Sequence, residues 1–215
     1  MILGIDTSGK NLGLALCNDG EILSSSLTSP GLRHGEIIQQ MTGDFLKDSG
    51  VGFSDITGIS VALGPGSFTG LRIGLAAAKG CSYASQNQLA GISTLLAGAF
   101  EFANCERKVV SIIDARRDEV YWAAFDCAGD FPKRLVPDSA ASLSDLRKIT
   151  EDNAIFSGPS HLAERFKSDV GSYEYRSNDK YNLAIPASVI GEKDINNGKN
   201  LDLASAVPIY IRSDF

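Results

Sequence analysis

The chain has 215 residues, of which 43% are apolar and 21% are charged, and its formal net charge is −6. This composition is ordinary for a soluble globular protein, and the acidic balance argues against a protein that grips nucleic acid alone, because such proteins carry a basic field against phosphate. The start of the chain lacks the features of a signal peptide and no apolar run reaches the ~20 residues of a membrane span, so we expect a cytoplasmic protein.

The first half of the chain alternates between strand and helix patterns. Three apolar runs at its start, separated by turn residues, predict a three-stranded meander with a hairpin at Asn18-Asp19-Gly20. Apolar residues in the segment 34–47 recur on one face of a helix, and the run 56–63 suits a buried strand. A second helix is predicted over about 70–87.

The second half repeats this order. Strands are predicted over 108–115, 119–126 and 131–136, with a hairpin at Arg116-Arg117-Asp118, then a helix introduced by Ser142 or Ser144, a strand over 153–158 and a helix over 160–168. Two successive β-β-β-α-β-α units predict an α/β protein with the duplicated actin-like ATPase fold (ASKHA, RNase H-like), in which two lobes face a cleft.

The predicted lobes are 1–103 and 104–215, divided in a polar segment. A further helix near 187–197 and the tail "PIYIRSDF" complete the chain. The sequence leaves open that this helix and tail pack back on the N-terminal lobe.

The stretch "ALGPGSFTGLRIGLAAAKG" at 62–80 has the composition of a phosphate-binding loop. The P-loop spacing fails because Thr69 or Leu71 stands where its second glycine belongs. The dinucleotide fingerprint also fails, since Thr69 replaces its third glycine. What remains is a helix start capped by Ser67 or Thr69, whose free amides would also suit an anion.

Small residues share one side of the predicted second helix: Gly70, Gly74, Ala77, Ala78, Cys81 and Ser85. A glycine inside a helix costs about 1 kcal/mol relative to alanine, so two of them one turn apart need a compensating contact. The alternatives are packing on the protein's own sheet and close approach of a helix from another subunit.

Metal and hydrolytic motifs are absent from the sequence. The only histidines, His34 and His161, are too far apart for a helical metal pair, and no G-x-S-x-G elbow occurs. The four scattered cysteines are expected to be buried, small apolar residues of a reducing compartment. Asp6-Thr7-Ser8 follows the first strand, where actin-like ATPases hold phosphate and magnesium; the alternative is a β-turn in which Asp6 bonds backbone amides.

Four segments together resemble the TsaB family, also called YeaZ, which takes part in bacterial threonylcarbamoyladenosine synthesis on tRNA. They are "GIDTS", "ALGPGSFTGLRIGLAAAKG", "DARRDEVYWA" and the closing "PIYIR". The resemblance extends over nearly the whole chain and is most specific in "GPGSFTGLRIG". It departs mildly at Arg117 and Asp118, which are more charged than the family pattern.

The resemblance implies a role without catalysis. TsaB-like proteins are inactive paralogues of the catalytic subunit TsaD, which carries a metal-binding histidine pair and transfers the threonylcarbamoyl group to the adenosine next to the anticodon. They bind and activate TsaD, with the ATPase TsaE as a third member. The resemblance therefore implies a chain that binds no cofactor alone, forms a homodimer or a heterodimer with TsaD through first-lobe helices, and meets tRNA through a complex that uses ATP.

The predicted partner interface joins the two first-lobe helices. Its residues are His34, Ile38, Met41, Ser67, Phe68, Gly70, Leu71, Arg72, Gly74, Leu75 and Ala78. Asp6, Thr7 and Ser8 are candidates for a weak nucleotide contact, and no catalytic or metal residue is predicted. The alternative function is an actin-fold ATPase or small-molecule kinase that uses Asp6 on the magnesium side, with Asp114 at the corresponding place in the second lobe.

Overall fold

The computed structural model describes residues 1–31, 33–149, 153–171 and 173–211. Contacts within the chain define two compact units. The first unit joins Met1–Thr94 to Asn182–Ile209, and the second contains Leu95–Tyr181 together with Tyr210 and Ile211. The predicted boundary after residue 103 divides the chain once, whereas the first unit consists of two separate segments.

The first unit is built on one mixed sheet. Its elements in chain order are β1 (Ile2–Asp6), β2 (Leu12–Asn18), β3 (Glu21–Thr28), α1 (His34–Asp48), β4 (Gly58–Gly64), α2 (Phe68–Ser85), β5 (Gln88–Ser93) and, near the end of the chain, α6 (Ala184–Asn196). The strand order is β3-β2-β1-β4-β5. The pairs β1–β2 and β2–β3 are antiparallel, whereas β4 runs parallel to β1 and β5.

Helices cover both faces of this sheet. On one face, α6 packs so closely that a Cβ atom at Gly4 would overlap the Ala184 carbonyl oxygen, and one at Gly191 would overlap Ser60. On the other face, α1 and α2 bury Phe45 and Leu75 in the same apolar core as strand residues such as Leu3. The sheet is therefore the centre of an α/β sandwich, as expected for strands that are buried on both faces.

The second unit repeats the plan of the first. Its elements are α3 (Thr94–Phe100, with Thr94 in the first unit), β6 (Lys108–Arg116), β7 (Glu119–Asp126), β8 (Lys133–Ser142), α4 (Leu143–Ile149), β9 (Ile155–Gly158), α5 (Ala163–Asp169) and β10 (Glu174–Ser177). The strand order β10-β9-β6-β7-β8 is the order of the first sheet read from its other end, with the same parallel and antiparallel pairs. The predicted duplication is confirmed.

Several local predictions are confirmed and others were incomplete. Ser67 caps α2 by accepting a hydrogen bond from the Gly70 amide, and Ser142 accepts one from the Asp145 amide at the start of α4. The sequence patterns did not reveal β5, α3 or β10. The strand β10 is short and largely polar because it lies at a sheet edge, so it carries no hydrophobic alternation.

The tail that follows α6 returns to the first sheet. The Ile209 amide donates to the Leu63 carbonyl oxygen at 2.8 Å. The last part of the predicted tail, from residue 212, lies outside the described residues. In the parts of the chain that the structure describes, every helix is too short or too polar to cross a lipid bilayer.

Candidate functional site

The turn after β1 interlocks with the start of α2. The Thr7 hydroxyl donates to the Gly70 carbonyl oxygen at 2.7 Å, and the Ser67 amide donates to the Ser8 carbonyl oxygen at 2.7 Å. A Cβ atom at Gly70 would overlap the Thr7 carbonyl oxygen, and one at Gly74 would overlap the Thr7 hydroxyl oxygen. Contact with this turn therefore explains why α2 contains these two glycines.

This packing corrects the interpretation of the small-residue side of α2. Of the two alternatives, the structure shows packing against the protein's own chain. Seven of the predicted interface residues are buried in the first unit: His34, Ile38, Gly70, Leu71, Gly74, Leu75 and Ala78. They pack inside this unit, and their part in an interface stays a prediction. Solvent reaches the other four (Met41, Ser67, Phe68 and Arg72), and their part in an interface stays a prediction.

Asp6 is buried at the end of β1, with 3% of its surface exposed. Its Oδ1 atom accepts a hydrogen bond from the Ser8 amide at 3.0 Å, which is the bond expected for the β-turn alternative. Burial raises the pKa of Asp6, although hydrogen bonds from Ser8 and the nearby His34 act in the opposite direction. A nucleotide contact through Asp6, Thr7 and Ser8 stays a prediction, and all three side chains are buried.

His34, the first residue of α1, is tied to the same region. Its Nε2 atom lies 3.1 Å from the Asn11 carbonyl oxygen. Because a carbonyl oxygen only accepts hydrogen bonds, the geometry requires a proton on Nε2. The buried ring thus fastens the start of α1 to the segment between β1 and β2, and it faces the interior rather than a partner.

The opposite side of α2 is open to solvent. Five exposed residues recur there every three or four positions: Phe68, Arg72, Ala76, Gly80 and Tyr83. We refer to these five residues as the α2 stripe. At its N-terminal end, the Arg72 guanidinium lies 3.6 Å from the centre of the Phe68 ring, a cation–π contact that holds both side chains over the helix. At its other end, Tyr83 is 81% exposed.

Two exposed glycines in helices are not required by packing within the chain. A Cβ atom at Gly80 of α2 or at Gly43 of α1 would meet no atom within 4 Å. The two helices are neighbours, since a Cβ atom at Gly35 would lie 3.5 Å from Ile73 of α2. Sequence reasoning missed both glycines. The four-residue spacing of Ala76 and Gly80 is the signal that could have identified small residues on a second side of α2.

The second unit has its own polar turn, between β6 and β7. Asp114 accepts hydrogen bonds from the Arg116 amide at 2.8 Å and from His161 Nε2 at 3.0 Å. Partial burial acts to raise the pKa of Asp114, but these two hydrogen bonds and the charges of Arg116 and His161 outweigh it and lower the pKa. This carboxylate is therefore stabilised in its ionised form.

The tip of this hairpin has an unusual backbone. Arg116, Arg117 and Asp118 have φ values of 62°, 49° and 63°, in the left-handed region that side chains disfavour. Arg165 of α5 holds the tip by donating to the Asp118 carbonyl oxygen at 2.7 Å and pairing with its carboxylate at 3.0 Å. The hairpin predicted at these three residues is confirmed.

The described residues contain no cluster of three or more His, Cys, Asp or Glu side chains that could hold a metal ion. The two histidines belong to different units, and each has the partner described above.

Comparison with known proteins identifies a family model that matches this chain and several similar proteins. The family model described as "TsaD: tRNA N6-adenosine threonylcarbamoyltransferase" matches residues 23–192. The chain is 39% identical over 127 residues to the tRNA threonylcarbamoyladenosine biosynthesis protein TsaB of Escherichia coli K12, covering 58% of this chain and 54% of the relative. It is 31% identical over 151 residues to the Bacillus subtilis 168 protein of the same name, covering 70% and 66%. The chain thus spans between about half and two thirds of the length of these curated relatives.

Among solved structures, YeaZ from Pseudomonas aeruginosa superimposes with a TM-score of 0.80 at 22% identity, over 97% of this chain and 98% of that one. This likeness concerns the fold, and together with the two sheets of matching strand order it bears out the predicted duplicated actin-like fold. The family model covers most of the chain and the named relatives agree with it. The chain therefore belongs to the TsaB (YeaZ) family, within the sequence family whose model is described as TsaD, tRNA N6-adenosine threonylcarbamoyltransferase.

Proposed function

We propose that the chain is a non-catalytic partner subunit in the addition of the threonylcarbamoyl group to the adenosine next to the anticodon of tRNA. In this role it binds and activates a TsaD-like catalytic subunit through the exposed sides of α1 and α2. Family membership supports the process, because the curated relatives are named as tRNA threonylcarbamoyladenosine biosynthesis proteins.

The two exposed glycines, Gly43 and Gly80, are the main support for the proposed docking surface. Gly43 and Gly80 each destabilise a helix by about 1 kcal/mol relative to alanine, and contacts within the chain do not offset this cost. A partner helix lying against α1 and α2 would offset it, because glycine lets two backbones approach closely.

The residues around these glycines have the composition of a docking surface. Phe68 and Arg72 stand at one end of the α2 stripe and Tyr83 at the other, and aromatic and arginine side chains are the usual anchors of protein interfaces. Half-buried apolar side chains lie on the same two helices and pack against the core: Ile37, Met41, Ile73 and Ala77. A partner would cover their remaining exposed surface.

The same surface would serve a second copy of the chain, so we propose that the homodimer and the heterodimer with the TsaD-like subunit exclude each other. We further propose that tRNA and a TsaE-like ATPase join through the complex, which uses the ATP. This chain would contribute no cofactor of its own.

The nucleotide-using alternative has weaker support. Its candidate residues, Asp6, Thr7 and Ser8, are buried, and their hydrogen bonds go to the turn itself and to α2. An ATP-turnover assay on the isolated chain distinguishes the alternatives. Robust hydrolysis that disappears in the Asp6→Ala variant would contradict the non-catalytic proposal.

Co-purification with a TsaD homologue tests the docking surface. Ala76 lies in the middle of the α2 stripe, and we expect Ala76→Arg to weaken binding at least about tenfold, a loss of ~1.4 kcal/mol, and to reduce tRNA modification in the reconstituted assay. The matched control is Ala128→Arg, at an exposed alanine of the second unit, which should leave binding and modification unchanged. Both variants should keep the thermal midpoint of the parent chain. Full binding by Ala76→Arg would show that the docking surface lies elsewhere.

A further inference from the structure

Cys105 and Cys127 are brought together at the base of the β6–β7 hairpin. Cys105 lies before β6 and Cys127 directly follows β7. The Cys105 amide donates to the Cys127 carbonyl oxygen at 2.9 Å, and the Asn104 amide donates to the Gly129 carbonyl oxygen at 3.0 Å. The donors and acceptors run in opposite directions, so the two segments pass each other antiparallel.

This backbone arrangement suits a covalent bridge. The 2.9 Å hydrogen bond from the Cys105 amide to the Cys127 carbonyl oxygen holds the backbones of the two residues side by side. Disulfides need a Cα separation of about 4.4 to 6.8 Å. Both side chains also belong to one apolar cluster, in which Cys127 is fully buried beside Ala99 and Cys105 packs on the outside. The two cysteines therefore border the same apolar cluster, and both thiols are free.

We propose that Cys105 and Cys127 form a redox modification site, which closes as a reversible disulfide by exchange with a small disulfide such as oxidised glutathione. The proposal concerns the second unit and is independent of the docking function. The remaining cysteines, Cys17 and Cys81, belong to the first unit.

Burial sets the order of the exchange. Cys127 has no exposed surface, so a small disulfide meets Cys105 first. The Cys105 thiol loses its proton to solvent, and its thiolate attacks one sulfur of oxidised glutathione. The S–S bond of glutathione breaks and one glutathione thiolate leaves. The Cys127 thiolate then attacks the Cys105 sulfur and expels the second glutathione. Two protein thiols are oxidised to one disulfide, and one glutathione disulfide is reduced to two thiols.

The second step has a distinct pH dependence. Burial, together with the neighbouring Cys105 and Asp126, raises the pKa of the Cys127 thiol to about 12. Below that value the thiolate fraction rises about tenfold per pH unit, and only the thiolate attacks. Closure should therefore be slow at neutral pH and accelerate as the pH rises.

The disulfide would fasten both ends of the β6–β7 hairpin to each other. It restricts the unfolded chain to conformations in which residues 105 and 127 stay joined, which stabilises the folded unit. The oxidised protein should therefore unfold at a higher temperature than the reduced protein, by at least several degrees.

The test uses the full chain in its native state, incubated with oxidised glutathione at pH 7 and pH 9, quenched with acid and mapped by peptide mass spectrometry. We expect a Cys105–Cys127 cross-link that has lost two hydrogen atoms, that forms faster at pH 9, and that reduced glutathione reverses. Cys127→Ala should stop at the Cys105–glutathione adduct, and Cys105→Ser should leave Cys127 unmodified. Cys81→Ser, the control, should form the cross-link normally.

Other results would overturn the proposal. A Cys105–glutathione adduct that persists in the parent chain at both pH values would show that Cys127 cannot reach the Cys105 sulfur. A cross-link that forms only after denaturation, or that joins other cysteines in the native chain, would show that the folded structure does not bring this pair together. Because these measurements use the parent chain, they hold even if a variant folds poorly.

Discussion

The two turns that follow the first strand of each sheet occupy equivalent places in a duplicated fold, yet they differ in nearly every property. The turn after β1 carries Asp6 and is sealed by the glycines of α2. The turn after β6 carries Asp114 and opens into a strained, exposed hairpin that is held by His161 and Arg165. Each aspartate also bonds the amide two residues ahead.

The difference shows that the elements packed against a turn determine the pKa of its aspartate. Asp6 and Asp114 share a position and a local hydrogen bond, but burial raises the pKa of Asp6, whereas the donors around Asp114 lower its pKa despite partial burial. Duplication thus preserved strand order while the surroundings of the two carboxylates diverged.

The largest effect is expected from breaking the sealed turn. Gly70→Ala places a methyl group on the Thr7 carbonyl oxygen, so α2 and the β1 turn must separate, and we expect a loss of about 3 kcal/mol or more in the free energy of unfolding. The matched control is Gly80→Ala in the same helix, where the space is open and a gain of up to about 1 kcal/mol is expected. Urea unfolding of both variants measures the contrast, and equal effects would contradict the interlock.

The next largest effect on stability is expected from neutralising the carboxylates of Asp6 and Asp114. The pKa of Asp6 in the folded state is above its ordinary value of 3.8. The folded state therefore loses stability as the pH rises from 3.8 through the raised pKa and Asp6 ionises. We therefore expect Asp6→Asn to raise the free energy of unfolding at pH 7. Ionisation of Asp114 has the opposite effect on stability. The ionised carboxylate stabilises the folded state above pH 3.8, and this stabilisation is lost as the pH falls through the lowered pKa.

Asp114→Asn should accordingly lower the free energy of unfolding at pH 7, by at most about 1 kcal/mol because the carboxylate is partly exposed and its ion pair is screened. Chemical unfolding between pH 3 and pH 7 measures both variants. The two differences from the parent chain should have opposite signs at pH 7 and shrink in acid. Changes of the same sign at neutral pH would contradict the assigned electrostatics.

The smallest effect is expected at the tip of the second hairpin. Glycine adopts a φ of 49° without the steric cost that Arg117 bears, so Arg117→Gly should raise the free energy of unfolding by about 0.5–1 kcal/mol. Arg117→Ala removes the same side chain but keeps the Cβ atom, and it should produce no gain. If alanine stabilises as much as glycine, charge rather than backbone conformation limits the hairpin.

Local sequence patterns predicted much of this fold. The features that they failed to predict depend on contacts between residues far apart in the sequence. Hydrophobic periodicity identified α1, α2 and the central strands. The hydroxyl residues before the second helix left Ser67 and Thr69 as candidates for its cap, and the structure shows that Ser67 is the cap. Periodicity could not say which side of α2 is buried, because small residues lie on both sides: Gly74 faces the β1 turn and Gly80 faces solvent. The predicted interface therefore combines residues from the buried side of α2 with residues that solvent reaches.

The return of α6 to the first sheet gives the molecule an order of assembly during translation. The main segment of the second unit, Leu95–Tyr181, leaves the ribosome before α6 does. Until residues 184–196 emerge, the glycine-containing face of β1 and β4 that α6 covers is bare. The first unit is thus begun first but gains its second helical layer only near the end of translation. A ribosome stalled before residue 182 would hold a chain with one exposed sheet face, a state prone to aggregation.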